Sequence, residues 1–393
     1  MQSRMKQDSR TIIRFGFKKI LGAFALGLFA VLLRILGAFR KARPPQGACP
    51  TFFVIEPFGL GDIISFEPLV RHLVALNCEV RLCAREEWRV LYPAGPVWVP
   101  ARIPWASHAS SAKYRLGDYF SPKFRQVLRD LRTAGAGCVG LDTRGDIRSV
   151  LLLYLAGCRR VVTLKNYLGS DLMMMPGAAE LVPFDPRLRR WELNLAFLDH
   201  AGLAQGASAA SPFFAHLALP PSTARPRRIA FMAVAPWAGK LWKRENWLRL
   251  AETLQSAGWE IAGICGPGQT ALAVEELGVR VPVLECGSIQ EWARELAGFS
   301  AVVTLDSGPM HLADALGIPV VALFGQGLLP LWAPSGPRSV VVSHQADADF
   351  NACQPVDANT ELGRKFMHRI SVAEVLAGLE NVGIQTASPT SGH

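Results

Sequence analysis

The sequence predicts an α/β protein built from two doubly wound, Rossmann-like domains, and three observations carry that prediction. Short runs of β-branched and aliphatic residues alternate with stretches of helical periodicity, the pattern of a parallel sheet covered on both faces. The alternation occurs twice, on either side of an Ala-, Ser- and Pro-rich stretch from Leu203 to Arg228 that reads as a linker. Each half also carries a polar turn at a strand end, Gly59-Leu60-Gly61-Asp62 and Asp306-Ser307-Gly308-Pro309, where open α/β sheets place their ligands.

The organisation that follows is a basic arm at 1–45, an N-terminal domain at 46–205, a linker at 206–228, a C-terminal domain at 229–370, and a C-terminal helix and tail at 371–393. The arm holds ten Lys and Arg against one acid, Asp8, so it carries +9 of the net +10 charge. A body that is nearly neutral offers no basic stripe for a nucleic-acid backbone, which argues against a nucleic-acid partner. Within the arm lies the apolar run Ile20 to Leu33, interrupted by Arg34 and resumed at Ile35 to Phe39. It is shorter than the roughly 20 residues a spanning helix needs. On a helix, Leu21, Phe24, Leu28, Val31, Leu32, Ile35 and Phe39 share one side, and the flanking cations reach anionic headgroups. The expectation is an N-terminal apolar basic helix that lies on an anionic membrane surface, peripheral or monotopic. A tilted span with Arg34 snorkelling is the alternative. Pro44-Pro45 and further basic residues follow the run instead of a small-residue cleavage site, which argues against a signal peptide.

In the first domain, strands are expected at Thr51 to Ile55, Glu79 to Cys83, Val139 to Asp142 and Val161 to Leu164. Helices are expected at Ile63 to Leu76, Ser121 to Thr133 and Ile147 to Leu155. In the second, strands at Ile229 to Ala233, Glu260 to Ile264, Val281 to Leu284 and Val302 to Leu305 alternate with helices at Glu245 to Ser256, Thr270 to Leu277 and Ile289 to Leu296. A short helix and a further strand then run on to Gly325, and Ser371 to Leu379 has helical spacing. Eight scattered cysteines, with no C-x-x-C pair and no His at metal-ligand spacing, read as buried thiols of a reducing compartment.

The turn after Leu305 reads as an anion site. Pro309 suits a helical first turn, so the amides around Ser307, Gly308 and Met310 face outward at the positive end of the helix dipole. Asp306 would repel a phosphate and is better placed to accept hydrogen bonds from sugar hydroxyls beside it; the plain alternative is that Asp306 or Ser307 only caps the helix. In the first domain, Gly59 and Gly61 let the chain turn tightly, and Asp62 puts a carboxylate at the strand end. Here too a helix cap is the alternative. A dinucleotide fingerprint is disfavoured, because Ile64 stands where its third glycine would be and Asp62 would meet the pyrophosphate.

Asp306-Ser307-Gly308-Pro309-Met310-His311-Leu312-Ala313, with Ala315-Leu316-Gly317 and Pro319 to Gly325, resembles the signature of the bacterial lipopolysaccharide heptosyltransferases, glycosyltransferase family 9. Phe58-Gly59-Leu60-Gly61-Asp62-Ile63-Ile64 is similar to the family's N-terminal loop. Lys240-x-Trp242-x-x-Glu245-x-Trp247 is similar to its lysine-tryptophan motif, with Lys243 where a proline is common. The resemblance runs from about Phe52 to about Leu379. It implies the GT-B architecture, two Rossmann-like domains facing across a cleft, with the C-terminal helix packed back on the N-terminal domain.

It also implies a metal-independent inverting transferase that moves a sugar from a nucleotide donor, ADP-heptose by resemblance, to a lipid-linked glycan such as the lipopolysaccharide core. No cofactor is expected, and no D-x-D metal motif stands where the fold would offer one. Asp62 is the expected general base and Lys240 the cation that meets the leaving diphosphate. Trp242 and Trp247 read as core. Asp306, Ser307, Gly308, Pro309 and His311 would bind the donor, with the Gly266-Pro267 loop near its nucleotide. Gly61, Arg144 and Arg148 would meet the acceptor. A family member using another nucleotide sugar, or a membrane-tethered sugar-binding protein without turnover, are the rival readings.

Overall fold

The computed structural model describes residues 49–100, 121–165, 179–203, 210–218, 227–325, 327–346 and 364–386, with Leu28 and Leu32 described singly as helical and exposed. The remainder of the arm, including its expected apolar helix, lies outside the described residues. Among those described, no helix is long and apolar enough to cross a membrane.

The N-terminal half contains β1 (Phe52–Ile55), α1 (Leu60–Ile64), α2 (Glu67–Ala75), β2 (Val80–Ala84), β3 (Val97–Pro100), α3 (Pro122–Gly135), β4 (Val139–Asp142), α4 (Ile147–Leu155), β5 (Arg160–Leu164), β6 (Glu180–Val182), α5 (Arg190–Leu195) and α6 (Phe197–Ala201). The C-terminal half contains β7 (Arg228–Met232), α7 (Arg244–Ser256), β8 (Glu260–Cys265), α8 (Thr270–Leu277), β9 (Val283–Glu285), α9 (Ile289–Ala297), β10 (Ala301–Leu305), α10 (Gly308–Ala315), β11 (Val320–Phe324), α11 (Leu329–Trp332), β12 (Ser339–Ser343) and α12 (Val372–Asn381). The strands form two parallel six-stranded sheets, ordered β3-β2-β1-β4-β5-β6 and β12-β11-β10-β7-β8-β9. Both follow the doubly wound permutation, in which the order reverses between the first and fourth strands of each half and opens a crevice there.

Alternate residues of each central strand face opposite sides, so each sheet needs two apolar covers. On the outer side of the first, Phe53 and Ile55 pack with Leu131 and Val150. On the outer side of the second, Phe231, Val303 and Leu305 pack with Trp247, Leu254 and Leu379. The inner faces share one continuous core, which runs from Phe52, Val54, Leu69 and Leu193 through to Leu296, Met310 and Ala322. Burial of that apolar surface holds the domains together.

The structure departs from the sequence reading at several points. The glycine turn is already helical: α1 starts at Leu60 with Gly59 as its N-cap, and α2 restarts at Glu67 with Pro68 in its first turn. Asp62 is therefore the third residue of a helix and not its cap. Cys49 and Cys78 are paired as a disulfide across a Cα–Cα distance of 5.2 Å, so not all the cysteines are free thiols. Cys83, Cys138, Cys158, Cys265 and Cys286 are buried and unpaired as expected, while Cys353 lies outside the described residues. The described linker segment 210–218 is packed: Phe214 meets the Tyr92 ring edge-on at 5.8 Å and donates its N–H to the Ala315 carbonyl at 3.1 Å. The edge strands β3, β6 and β12 were not expected; they are short, and half-exposed residues such as Glu180 and Ser339 obscure their alternation.

The C-terminal helix also lies elsewhere than expected. α12 packs on the second sheet and on α7, not on the N-terminal domain, with Gly378 close against Val321 and Val342. Helical periodicity shows that Val375 and Leu379 form a buried face; it cannot show which sheet receives them. Leu379→Ala should therefore cost about 2–5 kcal/mol. Urea unfolding followed by tryptophan fluorescence should show the loss in the transition that exposes Trp247 and Trp259.

Candidate active site at the two switch points

Both crevices open at the C-terminal strand ends, and each holds a charged pair. In the first, Asp62 follows β1 and Arg144 follows β4. Arg144 Nη1 donates to Asp62 Oδ1 at 2.7 Å, with its guanidinium over the Phe58 ring at 4.2 Å. Asp62 Oδ2 accepts the Gly59 N–H at 3.2 Å. α1 is fixed from three more directions: Ser65 Oγ donates to the Asp62 carbonyl at 2.6 Å, Asn194 Nδ2 donates to Ser65, and Tyr92 donates its hydroxyl proton to the Ile63 carbonyl at 2.7 Å. Arg144 is itself aimed by Asp142, which accepts the backbone N–H groups of Arg144 and Asp146 and the Thr163 hydroxyl. Burial raises the Asp142 carboxyl to about 6.

In the second crevice, Lys240 follows β7 and Asp306 follows β10. Their Nζ and Oδ2 atoms are 2.6 Å apart, and Lys240 also donates to the Asp306 backbone carbonyl at 3.1 Å. Both side chains are largely buried, and Lys240 Nζ lies 4.9 Å from the centroid of the exposed Trp237 ring. Trp242 and Trp247 are core, as expected; Trp242 donates its ring N–H to the Ile370 carbonyl at 2.8 Å. Ser307 occupies the N-cap of α10 without capping it, and its Oγ is buried with no hydrogen-bond partner among the described residues. With Pro309 in the first turn, that helix start presents a hydroxyl and a positive dipole end to a ligand.

The two helix starts meet. A Cβ added to Gly61 would lie 2.6 Å from Cδ2 of His311, and one added to Gly308 would lie 2.9 Å from Leu60 Cβ. Asp62, Arg144, His311, Ser307, Lys240 and Asp306 are thus brought to one seam between the domains. Gly266 and Pro267 sit one strand away on the same sheet edge, in a turn closed by Gln269. Arg148 lies in the first turn of α4, and its side chain is outside the described residues. Arg144, expected to meet the acceptor, is bonded to Asp62, the expected base, in this structure.

Sequence reasoning missed Glu56, Arg190 and Trp332. Glu56 directly follows β1 and is fully buried. Arg190 donates to the Thr143 carbonyl and hydroxyl at 2.6 and 3.0 Å, and its guanidinium lies 5.9 Å from the Trp332 ring. The one sequence signal was an acid closing an apolar strand, which marks Glu56; Arg190 had none.

Burial is the main cause that lowers the pKa of His311, partly opposed by Asp306, Asp314 and Asp62. The folded chain therefore resists a proton that the unfolded chain accepts near 6.5, so His311 contributes stability above that pH and loses it on acidification. The stability difference between wild type and His311→Phe should shift toward the variant as pH falls from 7 through about 6.5 and below, measured by urea unfolding.

Residues 194–357 match the model for glycosyltransferase family 9 (heptosyltransferase). Lipopolysaccharide heptosyltransferase 1 of Pseudomonas aeruginosa is 34% identical over 104 residues, a stretch that spans 25% of this chain and 28% of that protein. The E. coli heptosyltransferase WaaC, solved with ADP, superposes with a TM-score of 0.61 at 16% identity, covering 85% of this chain and 100% of that one. The E. coli ADP-heptose lipopolysaccharide heptosyltransferase II gives 0.58 at 18% identity, covering 84% and 98%. The chain thus matches the glycosyltransferase family 9 (heptosyltransferase) model over 194–357, a stretch that holds Lys240 and Asp306, and shares the two-sheet GT-B fold of the solved heptosyltransferases.

Proposed function

We propose that the chain is an inverting glycosyltransferase that transfers a heptose from ADP-heptose to a hydroxyl of a lipid-linked glycan such as the lipopolysaccharide inner core. The observation that carries this reading is the meeting of α1 with α10, which puts one carboxylate of the first domain against the anion-binding helix start of the second. The diphosphate would lie on α10, with the Ser307 hydroxyl and Lys240 as donors and Asp306 receiving sugar hydroxyls. Asp62 would take the acceptor proton as the acceptor oxygen attacks the anomeric carbon from the face opposite the departing phosphate. One carboxylate is enough, because direct displacement forms no sugar–enzyme bond. Arg144 would hold that carboxylate in line. The relatives support the donor's identity by what they were solved with, ADP and an ADP-heptose analogue.

Asp62→Asn should leave donor affinity and the fold intact and lower turnover about a hundredfold or more. Near-normal turnover would remove Asp62 from the chemistry. Lys240→Ala should weaken ADP binding in calorimetry, and because it strands Asp306 it should also cost about 3–5 kcal/mol of stability.

The basic arm would hold the enzyme on the cytoplasmic face of the inner membrane beside its acceptor, through apolar burial and attraction to anionic headgroups. Removing residues 1–45 should abolish co-sedimentation with anionic vesicles and spare transfer to a delipidated acceptor. Loss of that transfer would make the arm part of the catalytic body.

A further inference from the structure

Glu56 directly follows β1 and hangs from the same turn as Asp62. It has no exposed surface; its Oε1 accepts the Phe58 N–H at 3.3 Å, and its Oε2 is buried with no partner among the described residues. The charged groups around the turn are few; Arg144 and Arg190 both act on Glu56 to favour its charge, against its burial, but give their hydrogen bonds to other partners. Arg144, from the loop after β4, donates to Asp62 Oδ1 and stacks on Phe58, the residue whose N–H serves Glu56. Arg190, from α5, is given to Thr143. Arg85, after β2, donates to the Pro57 carbonyl at 3.1 Å, and His311 faces Asp62 from α10.

Two carboxyl groups so placed cannot both carry charge cheaply, since like charges in a low-dielectric interior repel and an unpaired buried anion is costly. Their surroundings decide which one ionises. Asp62 has a guanidinium and a backbone N–H; Glu56 has a single backbone N–H and an orphaned oxygen. The proton therefore rests on Glu56.

We propose that Glu56 is a positioning residue for the general base: as an uncharged carboxyl beneath the turn it leaves Arg144 to Asp62, and on ionising it draws that guanidinium inward and takes Asp62 out of line with the acceptor hydroxyl. The proton it loses passes to solvent, and no bond of substrate or protein changes. Burial first, and the charge of Asp62 next, push Glu56 up to about 8, so the change falls just above neutral pH. The role given to Asp62 rests on the glycosyl-transfer reading; the coupling between the two carboxyls does not.

The first measurement is the pH dependence of steady-state transfer by the full chain, with ADP-heptose and a heptose-free lipopolysaccharide core as substrates. The wild-type kcat should fall as pH rises through about 8 while the donor KM stays constant. Glu56→Gln, a permanent copy of the uncharged form, should lose that fall and keep a rate within about threefold of wild type below it. An unchanged fall in Glu56→Gln overturns the proposal.

The second measurement needs neither substrate nor a stable Glu56 variant. In carboxyl carbon NMR of the ligand-free wild type, with Asp62 assigned through Asp62→Asn, the Asp62 signal should move in step with the ionisation of Glu56. An Asp62 signal indifferent to Glu56 overturns the proposal whether or not transfer is seen. Coupling without transfer upholds it and counts against the glycosyl-transfer reading alone.

Discussion

The contact between Gly61 and the His311 ring sets the geometry of the site, because it fixes how far apart the two helix starts stand. At that position a side chain as small as alanine would put its Cβ 2.6 Å from a ring carbon, closer than any real contact. The same closeness appears from the other side, where Gly308 leaves room for Leu60. Glycine in both turns is thus a requirement of two domains that pack through their inner faces, beyond any need for unusual backbone angles. The continuous apolar core beneath makes the approach rigid: Leu69 and Leu193 on one side and Met310 and Leu296 on the other belong to one buried body. Tyr92, Asn194 and Ser65 then hold α1 against that body through backbone carbonyls, so the position of Asp62 is inherited from packing.

The repetition of one strand order in both halves explains why the charged groups converge. In a doubly wound sheet the crevice opens where the order reverses, between β1 and β4 and again between β7 and β10. Asp62 and Arg144 come from the first pair of strands, Lys240 and Asp306 from the second. The architecture thus supplies the juxtaposition, and the side chains supply the chemistry.

How much of this was legible in the sequence depended on whether the signal was local. The Asp306-Ser307-Gly308-Pro309 turn was legible because a buried strand, an acid, a glycine and a proline in the first helical turn each have a local physical meaning. The strands flanking it and the helix Ile147 to Leu155 were legible for the same reason. The start of α1 was misjudged because two glycines were taken to end regular structure, whereas Gly59 caps a helix and Gly61 lies inside it, packed under His311. What could not be read was long-range pairing. Arg190 finds Thr143 across 47 residues and Cys49 finds Cys78 across 29, and neither partner carries a mark of the other. The destination of α12 was illegible on the same ground, since an apolar face does not name its sheet.

Asp62, Arg144, Lys240 and Asp306 each have an opposite partner at the seam, which bears on how the proposed donor would bind. Lys240 is held by Asp306 through both its carboxylate and its backbone carbonyl, so a diphosphate placed on α10 as proposed would compete with an ion pair that is already desolvated. A phosphate that shared Lys240 would leave Asp306 with unfilled acceptor capacity, and sugar hydroxyls are donors that can fill it. An isolated diphosphate offers no such donors. On the proposed function, the pair would favour a ligand that carries anionic oxygens and hydroxyls side by side, which is the composition of a nucleotide sugar. The pair in the first domain is built differently: Arg144 reaches Asp62 through its side chain alone, and Asp62 is also tied to the Gly59 N–H, so the carboxylate is held from two directions.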